Sequence, residues 1–361
     1  MAKTYNNLFE KICSFENLHL AYLKARKCKR YNNEILEFSY NLERNLFKLQ
    51  EGLLNQTYKH GGYREFIVCD SKKREIKAAP FSDRVIHHAV CNIIEPIFDK
   101  GFIYDSYACR NEKGTHRAIK KLESILNSMR DKNSSEIYCL QCDISKYFKS
   151  IDHNILLKII SNKIKDKKTI WLIKEIIKSS YDRKIYNNLF DFRLTGIPIG
   201  NLTSQLFANI YLNELDQFIK HELRKKYYLR YMDDFLIFNY SKRELNDLKQ
   251  IIKIFLNYKL ELNLHPKKVN IFPVNNGVDF LGYLIFNNYR LLRKSTVKRF
   301  VKRTKKYQKK LDIGLIGQEK FDNSLQSWNS YAEFASSWKI KKNLEEKLGV
   351  IIHNIFEFCM I

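Results

Sequence analysis

The sequence predicts an α+β protein in which a short antiparallel sheet is embedded in helices and is followed by a helical, strongly basic C-terminal part. Two observations carry that prediction. Apolar residues recur at three- and four-residue spacing from Asn6 to Leu54 and again beyond Phe286, whereas short β-branched and aromatic runs gather between Glu136 and Phe286. A third observation removes rival architectures: only 12 Gly and 5 Pro in 361 residues exclude collagen-like, mucin-like and linker proteins.

Taken in order, the elements begin with two expected helices, Asn6 to Ala25 and Glu34 to Leu54. Two strand-like pieces follow, Glu65 to Cys69 and Glu75 to Ala79. They are joined by the basic turn Asp70-Ser71-Lys72-Lys73-Arg74, a candidate hairpin with cations at its tip. Helical periodicity returns from Ser82 to Phe98 and from Thr115, read as an N-cap, through Leu126. A strand is expected over Glu136 to Ile144, with Asp143 near its end, then a helix over His153 to Ser180 and a short segment from Tyr186 to Leu194. The turn Thr195 to Gly200 leads to a helix capped by Asn201, with Leu202, Leu206, Ile210 and Phe218 on one face. Tyr227 to Tyr231 and Phe235 to Phe238 read as a hairpin whose turn is Met232-Asp233-Asp234. A helix from Arg243 to Tyr258, a strand over Phe280 to Phe286 and basic helices to Ile361 complete the reading.

Composition bounds the function. Lys and Arg number 64 against 39 Asp and Glu, a formal charge of +25, and 45% hydrophobic with 14% aromatic residues can bury the cores of two or three subdomains. Such a charge calls for a polyanion, nucleic acid ahead of an anionic membrane surface, with a merely solvated basic surface as the plain alternative. No apolar run is long enough to span a bilayer, and Lys3, Glu10 and Lys11 interrupt the N-terminus, so a soluble, intracellular protein without a membrane partner is expected. The eight cysteines are scattered, and Cys139 and Cys142, the one CxxC pair, lie in a strand-like run. They read as reduced core residues rather than as a metal or redox site.

Adjacent aspartates are common in turns, where their side chains bond locally, so Asp233 and Asp234 alone say little. Their flanks say more. Two anions framed by apolar strands repel each other and lose hydration, and such a pair needs a cation. Hard carboxylate oxygens suit Mg²⁺. With Asp143 on another strand, three carboxylates would hold two metals about 3.5–4 Å apart, the arrangement of nucleotidyl transfer. Mn²⁺ would serve as a substitute ion.

Tyr231-Met232-Asp233-Asp234 between apolar strands, Asp143 followed by Phe148, and the stretch from Gly196 to Gln205 opening a helix resemble the C, A and B motifs of reverse transcriptases. The resemblance extends to Arg74-Glu75-Ile76, Asp83-Arg84, Leu264 to Lys268 and Phe280 to Tyr283, covering about residues 60 to 310. It implies a right-hand polymerase: an N-terminal helical extension over 1–60, fingers over 61–135, a palm with an antiparallel sheet over 136–285 carrying a helical insertion at about 155–193, and a basic helical thumb over 286–361. Most of the family reads Pro-Gln-Gly and later Ser-Pro in motif B. Here Pro198-Ile199-Gly200 precedes Ser204-Gln205, which is similar to reverse transcriptases of diversity-generating retroelements, as are Asp105 to Arg110 and Gly114 to His116.

That resemblance implies cDNA synthesis from a template RNA with errors opposite adenine, dNTPs as substrates, an RNA–cDNA hybrid, a structured noncoding RNA and an oligomeric basic accessory protein as partners. It also implies a bacterial or phage-encoded cytoplasmic enzyme. By the same resemblance Asp143, Asp233 and Asp234 are the metal carboxylates, with the Ile144 carbonyl as an extra ligand. Phe148 is the steric gate against ribose, with a core Phe as the alternative. Arg74 and Lys72 or Lys73 hold the triphosphate, and Ile199, Gly200, Ser204, Gln205 and Tyr231 line the nucleotide. Lys268 is the candidate general acid, with Lys267 adjacent. The run Arg290 to Lys310 contains no acidic residue and offers Lys298, Arg299, Lys302, Arg303, Lys306 and Lys310 to a phosphate backbone. Tyr331, Phe334 and Trp338 are expected in the core of the C-terminal helices. With the chain divided in this way, no RNase H, endonuclease or protease domain is expected within these residues. The rival readings are a retron-type or phage-defence reverse transcriptase and a polymerase-derived RNA-binding protein without catalysis.

Overall fold

Where two helices are expected at the N-terminus, four form: α1 (Phe9–Cys13), α2 (Phe15–Ala25), α3 (Asn33–Tyr40) and α4 (Leu42–Leu54). Ser14 makes the first break, because its side chain accepts from the Asn17 N–H and caps α2 instead of continuing α1. Asn41, at φ −118° and ψ 49°, makes the second. The structure, a computed structural model, describes residues 3–69, 73–132, 135–179 and 194–349.

Strands β1 (Arg64–Cys69) and β2 (Lys73–Ala78) pair antiparallel, Phe66 opposite Ile76 and Val68 opposite Arg74. The expected turn residues Asp70, Ser71 and Lys72 lie outside the described residues, as does 186–193 of the expected Tyr186 to Leu194 segment. Helix α5 (Phe81–Asp99) follows, and α6 (Thr115–Lys132) starts at Thr115 itself and runs past the expected end. Next come β3 (Tyr138–Asp143), α7 (Tyr147–Ser150), α8 (His153–Lys163) and α9 (Lys167–Lys178). The helix expected over His153 to Ser180 is thus divided. Asp166 divides it, one oxygen accepting from the Lys168 and Thr169 N–H groups to start α9 while the other takes Leu8 and Phe9 N–H at 2.8 Å to start α1.

Helix α10 (Leu202–Gln217) is buried on nearly every side, through Leu206, Phe207, Ile210, Tyr211 and Leu215 and also through the polar Asn209 and Asp216, and ends in a π-turn at Phe218–Glu222. Asn201 holds its N-cap position without a capping bond. Its amide donates to the Tyr63 hydroxyl at 3.1 Å instead. The remaining elements are β4 (Tyr228–Tyr231), β5 (Asp234–Asn239), α11 (Lys242–Leu260), β6 (Asn270–Pro273), β7 (Val278–Phe280), β8 (Tyr283–Ile285), β9 (Arg290–Leu292), α12 (Lys294–Asp312), α13 (Gln318–Glu333) and α14 (Trp338–Leu348). Where one strand is expected over Phe280 to Phe286, a hairpin forms. Phe280 pairs with Tyr283, and Leu281 and Gly282 between them both take positive φ, 51° and 95°, as a two-residue hairpin loop requires.

The sheets are β1-β2, a four-stranded sheet ordered β4-β5-β3-β6, and β7-β8-β9. The chain divides into two compact units, one of Met1–Glu112, Gln141–Leu236 and Asn246–Val269, the other of Lys113–Leu140, Ile237–Leu245 and Asn270–Ile361. In the first, α5 packs on α2 and on α10, and its Val85, Ile86, Ala89 and Val90 are fully buried. In the second, Phe300 of α12 stacks on Trp328 of α13 at 3.9 Å, and Phe334 stacks on His116 at 3.9 Å while the Arg290 guanidinium lies over its ring. Trp338 is not core: it opens α14, is 63% exposed and lies under Lys342, because α13 ends before it and the helical spacing from Tyr331 is broken. Cys139 and Cys142 are buried cysteines of β3, outside any disulfide. Among the described residues no helix is long and apolar enough to cross a membrane.

Candidate active site

Asp143 is delivered by backbone pairing on its C-terminal side. Ile144 bridges Leu264, the Ser145 N–H donates to the Asn263 carbonyl and the His265 N–H donates to the Asp143 carbonyl, each at 2.8 Å. This zipper fixes the short Leu264 to Lys268 segment beside the strand end, and the Lys268 ammonium meets the Asp143 carboxylate in an ion pair. Lys267 is exposed. Of the two adjacent lysines, the structure brings Lys268 to the carboxylates.

The other two aspartates stand at the β4–β5 connection. Met232 takes φ 56°, and the Tyr231 to Asp234 residues are all half-buried between strands whose interiors are buried. Burial first, then the charges of Asp233 and Asp143, push the Asp234 carboxyl up to about 7, aided by a hydrogen bond with Asp143 and opposed by Lys268. Asp233 and Asp143 therefore both lie close enough for their charges to act on the Asp234 carboxyl. Such a cluster has the donor chemistry of a hard divalent cation. Among the described residues no three His, Cys, Asp or Glu side chains are arranged as a finished cage, and the counter-charge on Asp143 is an ammonium. That combination fits Mg²⁺, which takes one or two carboxylates together with waters and substrate phosphates rather than an all-protein cage. Ile144 is buried, and its neighbour's carbonyl is already taken by His265.

Phe148 lies half-buried on α7, edge-on to Tyr147 at 5.6 Å, and its carbonyl accepts from the Ile197 N–H at 2.8 Å. It is thus not a core residue, unlike Tyr147, whose hydroxyl is buried on the Ala208 carbonyl. The Ile199 carbonyl accepts from the Lys77 N–H of β2 at 3.1 Å, which seats the Pro198 to Gly200 turn against that strand. Gly200 is required there. Its φ is 125°, and a Cβ would meet Ile76 Cγ2 at 3.1 Å and the Lys77 carbonyl at 3.3 Å. Ile199 and Gln205 are half-buried, whereas Ser204 is buried on α10.

Residues 59–285, well over half of the chain, match the family described as "Reverse transcriptase (RNA-dependent DNA polymerase)". The chain belongs to this family. It therefore has the reverse transcriptase fold, and RNA-directed DNA polymerisation is the family's activity. Protein YkfC of Escherichia coli (strain K12) is 27% identical across 83% of this chain and 81% of that protein. The group II intron-encoded protein LtrA of Lactococcus lactis subsp. cremoris is 28% identical across 71% of this chain, which spans about half (51%) of LtrA's length. Among solved structures, apo telomerase from Candida Tropicalis truncated from its C-terminal domain is similar over 64% of this chain and 55% of that one, at TM-score 0.45 and 14% identity.

Other residues that the reverse transcriptase resemblance picked out are placed as follows. Arg74 is exposed on β2, Lys73 begins that strand, and Lys72 lies outside the described residues. On α12, Lys298, Arg299, Lys302, Arg303 and Lys306 are exposed and Lys310 half-buried, opposite the buried Phe300 and Thr304. The structure also exposes an arrangement that sequence reading missed. Arg230, between Leu229 and Tyr231, is fully buried and paired with the fully buried Asp216. A lone arginine in a strand-like run reads as a surface cation, and only the fold reveals the aspartate opposite it. The Asp105 to Arg110 stretch supports the same place: the Arg230 N–H donates to the Asp105 carbonyl and the Tyr107 N–H to the Arg230 carbonyl.

Proposed function

We propose that this reverse transcriptase copies a retroelement template RNA into cDNA, with Asp143, Asp233 and Asp234 as its metal carboxylates and with frequent errors opposite template adenine. The observation that carries the polymerase assignment is that Asp143, at the end of β3, and Asp233, in the β4–β5 turn, both bear on Asp234 at the start of β5, in a chain of this family. Two Mg²⁺ ions, or Mn²⁺ in their place, would lower the pKa of the primer 3′-hydroxyl and offset the triphosphate charge. The chain's own residues do the rest. Arg74 on β2 and the Ile199–Gly200 turn seated against β2 flank the nucleotide, Phe148 excludes the 2′-hydroxyl, and Lys268 leaves Asp143 to protonate the departing pyrophosphate. Ser204 is buried and acts through packing of α10 under Gln205, and Tyr231 supports the turn. The α12 cations follow the backbone of the RNA–cDNA hybrid. The names fingers, palm and thumb for 61–135, 136–285 and 286–361 belong to the same proposal, as do a structured noncoding RNA and an oligomeric accessory protein as partners.

The diversifying role rests on Ile199, where most of the family carries Gln. A side chain that can only pack leaves the template–nucleotide register to shape alone. Deep sequencing of cDNA made on an RNA of known sequence tests it: substitutions concentrated opposite adenine are expected, and a flat error spectrum removes this part of the reading. Similarity to LtrA, an intron-encoded protein, favours a second reading in which the template is a dedicated structured RNA and no gene is diversified. An imperfect repeat pair near the gene, differing at adenines, decides for the first.

A further inference from the structure

We infer that Arg230, clamped by Asp216, is the positioning residue of the Asp233–Asp234 turn, so that affinity for the divalent cation depends on a guanidinium that never touches it. The inference rests on the proposed metal role of those aspartates and adds the element that holds them.

The guanidinium has five N–H donors, and all are used. Nε and Nη2 bind Asp216 Oδ1 and Oδ2 at 2.8 and 2.6 Å in a two-pronged pair. Nη2 also donates to Ser106 Oγ at 3.1 Å, and Nη1 to Asn209 Oδ1 at 3.2 Å. The remaining Nη1 proton goes to the Met232 carbonyl at 3.0 Å. The Tyr228 hydroxyl donates to Asp216 at 2.6 Å, so the aspartate is itself held. Arg230 and Asp216 side chains are both fully excluded from solvent. A buried pair of this kind is weak evidence for stability, since apolar residues of similar volume hold a fold equally well. Its geometry explains its place better. One donor leaves the cluster and grips the single carbonyl between Tyr231 and Asp233, at the residue whose left-handed backbone aims the two aspartates. The acceptors Asn209 and Asp216 are both on α10, the helix opened by the Ile199–Gly200 turn, so one guanidinium ties the carboxylate turn to the helix behind the nucleotide turn.

Residues that orient metal ligands without binding metal commonly contribute ten- to a hundredfold to metal affinity. The test is Mn²⁺ binding to the full chain, followed by electron paramagnetic resonance, alongside Mg²⁺ titration of primer extension and thermal unfolding. Arg230→Met/Asp216→Leu removes both charges together, which avoids leaving one buried and unpaired. It is expected to unfold near the parent temperature, bind Mn²⁺ about ten- to a hundredfold more weakly, and recover part of its extension rate at high Mg²⁺. Ser106→Ala removes an Arg230 bond that does not reach the turn and should leave Mn²⁺ affinity unchanged. Parental Mn²⁺ affinity in a folded double variant overturns the inference. If the double variant does not fold, Arg230→Lys carries the test, since it keeps the charge opposite Asp216 but cannot fill five bonds, and unaltered Mn²⁺ affinity there overturns it equally. Failure of the underlying site reading looks different: the parent protein would then bind no Mn²⁺ that Asp233→Asn abolishes.

Discussion

At the end of β3, Asp143 is largely shielded from solvent and meets Lys268, whereas along α12 Lys298, Arg299, Lys302 and Arg303 all face solvent. The acidic cluster is small and closely held: Asp234 bonds Asp143, Asp143 pairs with Lys268, and the Met232 carbonyl beside Asp233 is held by Arg230. The basic helix rests on one apolar stripe through Phe300 and Thr304 and repeats its cations around the rest. Buried charge is costly unless its geometry is fixed, so a cluster of this sort is intolerant of single changes. Exposed charge is screened and redundant, so single changes on α12 should be absorbed. Concentrated chemistry and distributed attraction thus ask for opposite construction from one chain.

The sharpest way to break the contrast is Asp233→Asn. It keeps size and turn geometry but withdraws a full charge from the cluster. A loss of about 4 kcal/mol of charge stabilisation, roughly a thousandfold in rate, is expected in Mg²⁺-dependent primer extension. Near-parental extension would dissolve the catalytic scheme. Phe148→Ala comes next. Removing a half-buried ring from α7 should narrow the preference for dNTPs over rNTPs by about ten- to a hundredfold, read from competing incorporation on one template, with dNTP extension largely kept. Equal rNTP exclusion by the variant would make Phe148 a packing residue only.

How far these regions could be read from sequence differs in the same way. The β4–turn–β5 hairpin was legible because two apolar runs are interrupted by Met232, Asp233 and Asp234, a polarity change that no periodicity hides. The amphipathic α12 was legible because its apolar residues keep helical spacing amid lysines. Helix breaks at Ser14, Asn41 and Asp166 were not, since apolar spacing runs through them. The capping types Ser and Asp were the available signal. Arg230 and Asp216 were out of reach, because a contact between β4 and the far end of α10 has no local pattern. The two halves of the expected Phe280 to Phe286 strand likewise depended on backbone handedness at Leu281, a residue type that rarely adopts it.

On α12 the contrast predicts a graded response. Lys302→Gln, Arg303→Gln and Lys306→Gln together should lower the salt dependence of hybrid binding by about 0.7–0.9 in slope per cation removed, roughly 2 to 3 in all, with each single variant nearly silent in extension. The measurement is binding of an RNA–DNA hybrid at several salt concentrations. A triple variant with the parental slope would remove α12 from the nucleic-acid surface, and a single variant that abolished binding would show the helix to be built like the acidic site after all.

Ile199→Gln carries the smallest expected effect and sits between the two kinds of construction. Its backbone is fixed, since the carbonyl is bonded to Lys77 and the next residue, Gly200, holds φ 125° with β2 tight against the position of a Cβ. Its half-buried side chain is therefore the part free to vary without moving the turn. A glutamine there adds a donor and an acceptor where the isoleucine can only pack, and one hydrogen bond made selectively to the correct pair contributes about 1 kcal/mol net, or roughly fivefold in discrimination. Misincorporation opposite template adenine should fall by about that factor in sequenced extension products, while Mn²⁺ affinity stays parental because the carboxylate turn is untouched. An error spectrum identical to the parent's would place the source of infidelity elsewhere in the nucleotide pocket, and a fall in metal affinity would mean that the turn beside β2 and the turn holding the aspartates are not independent.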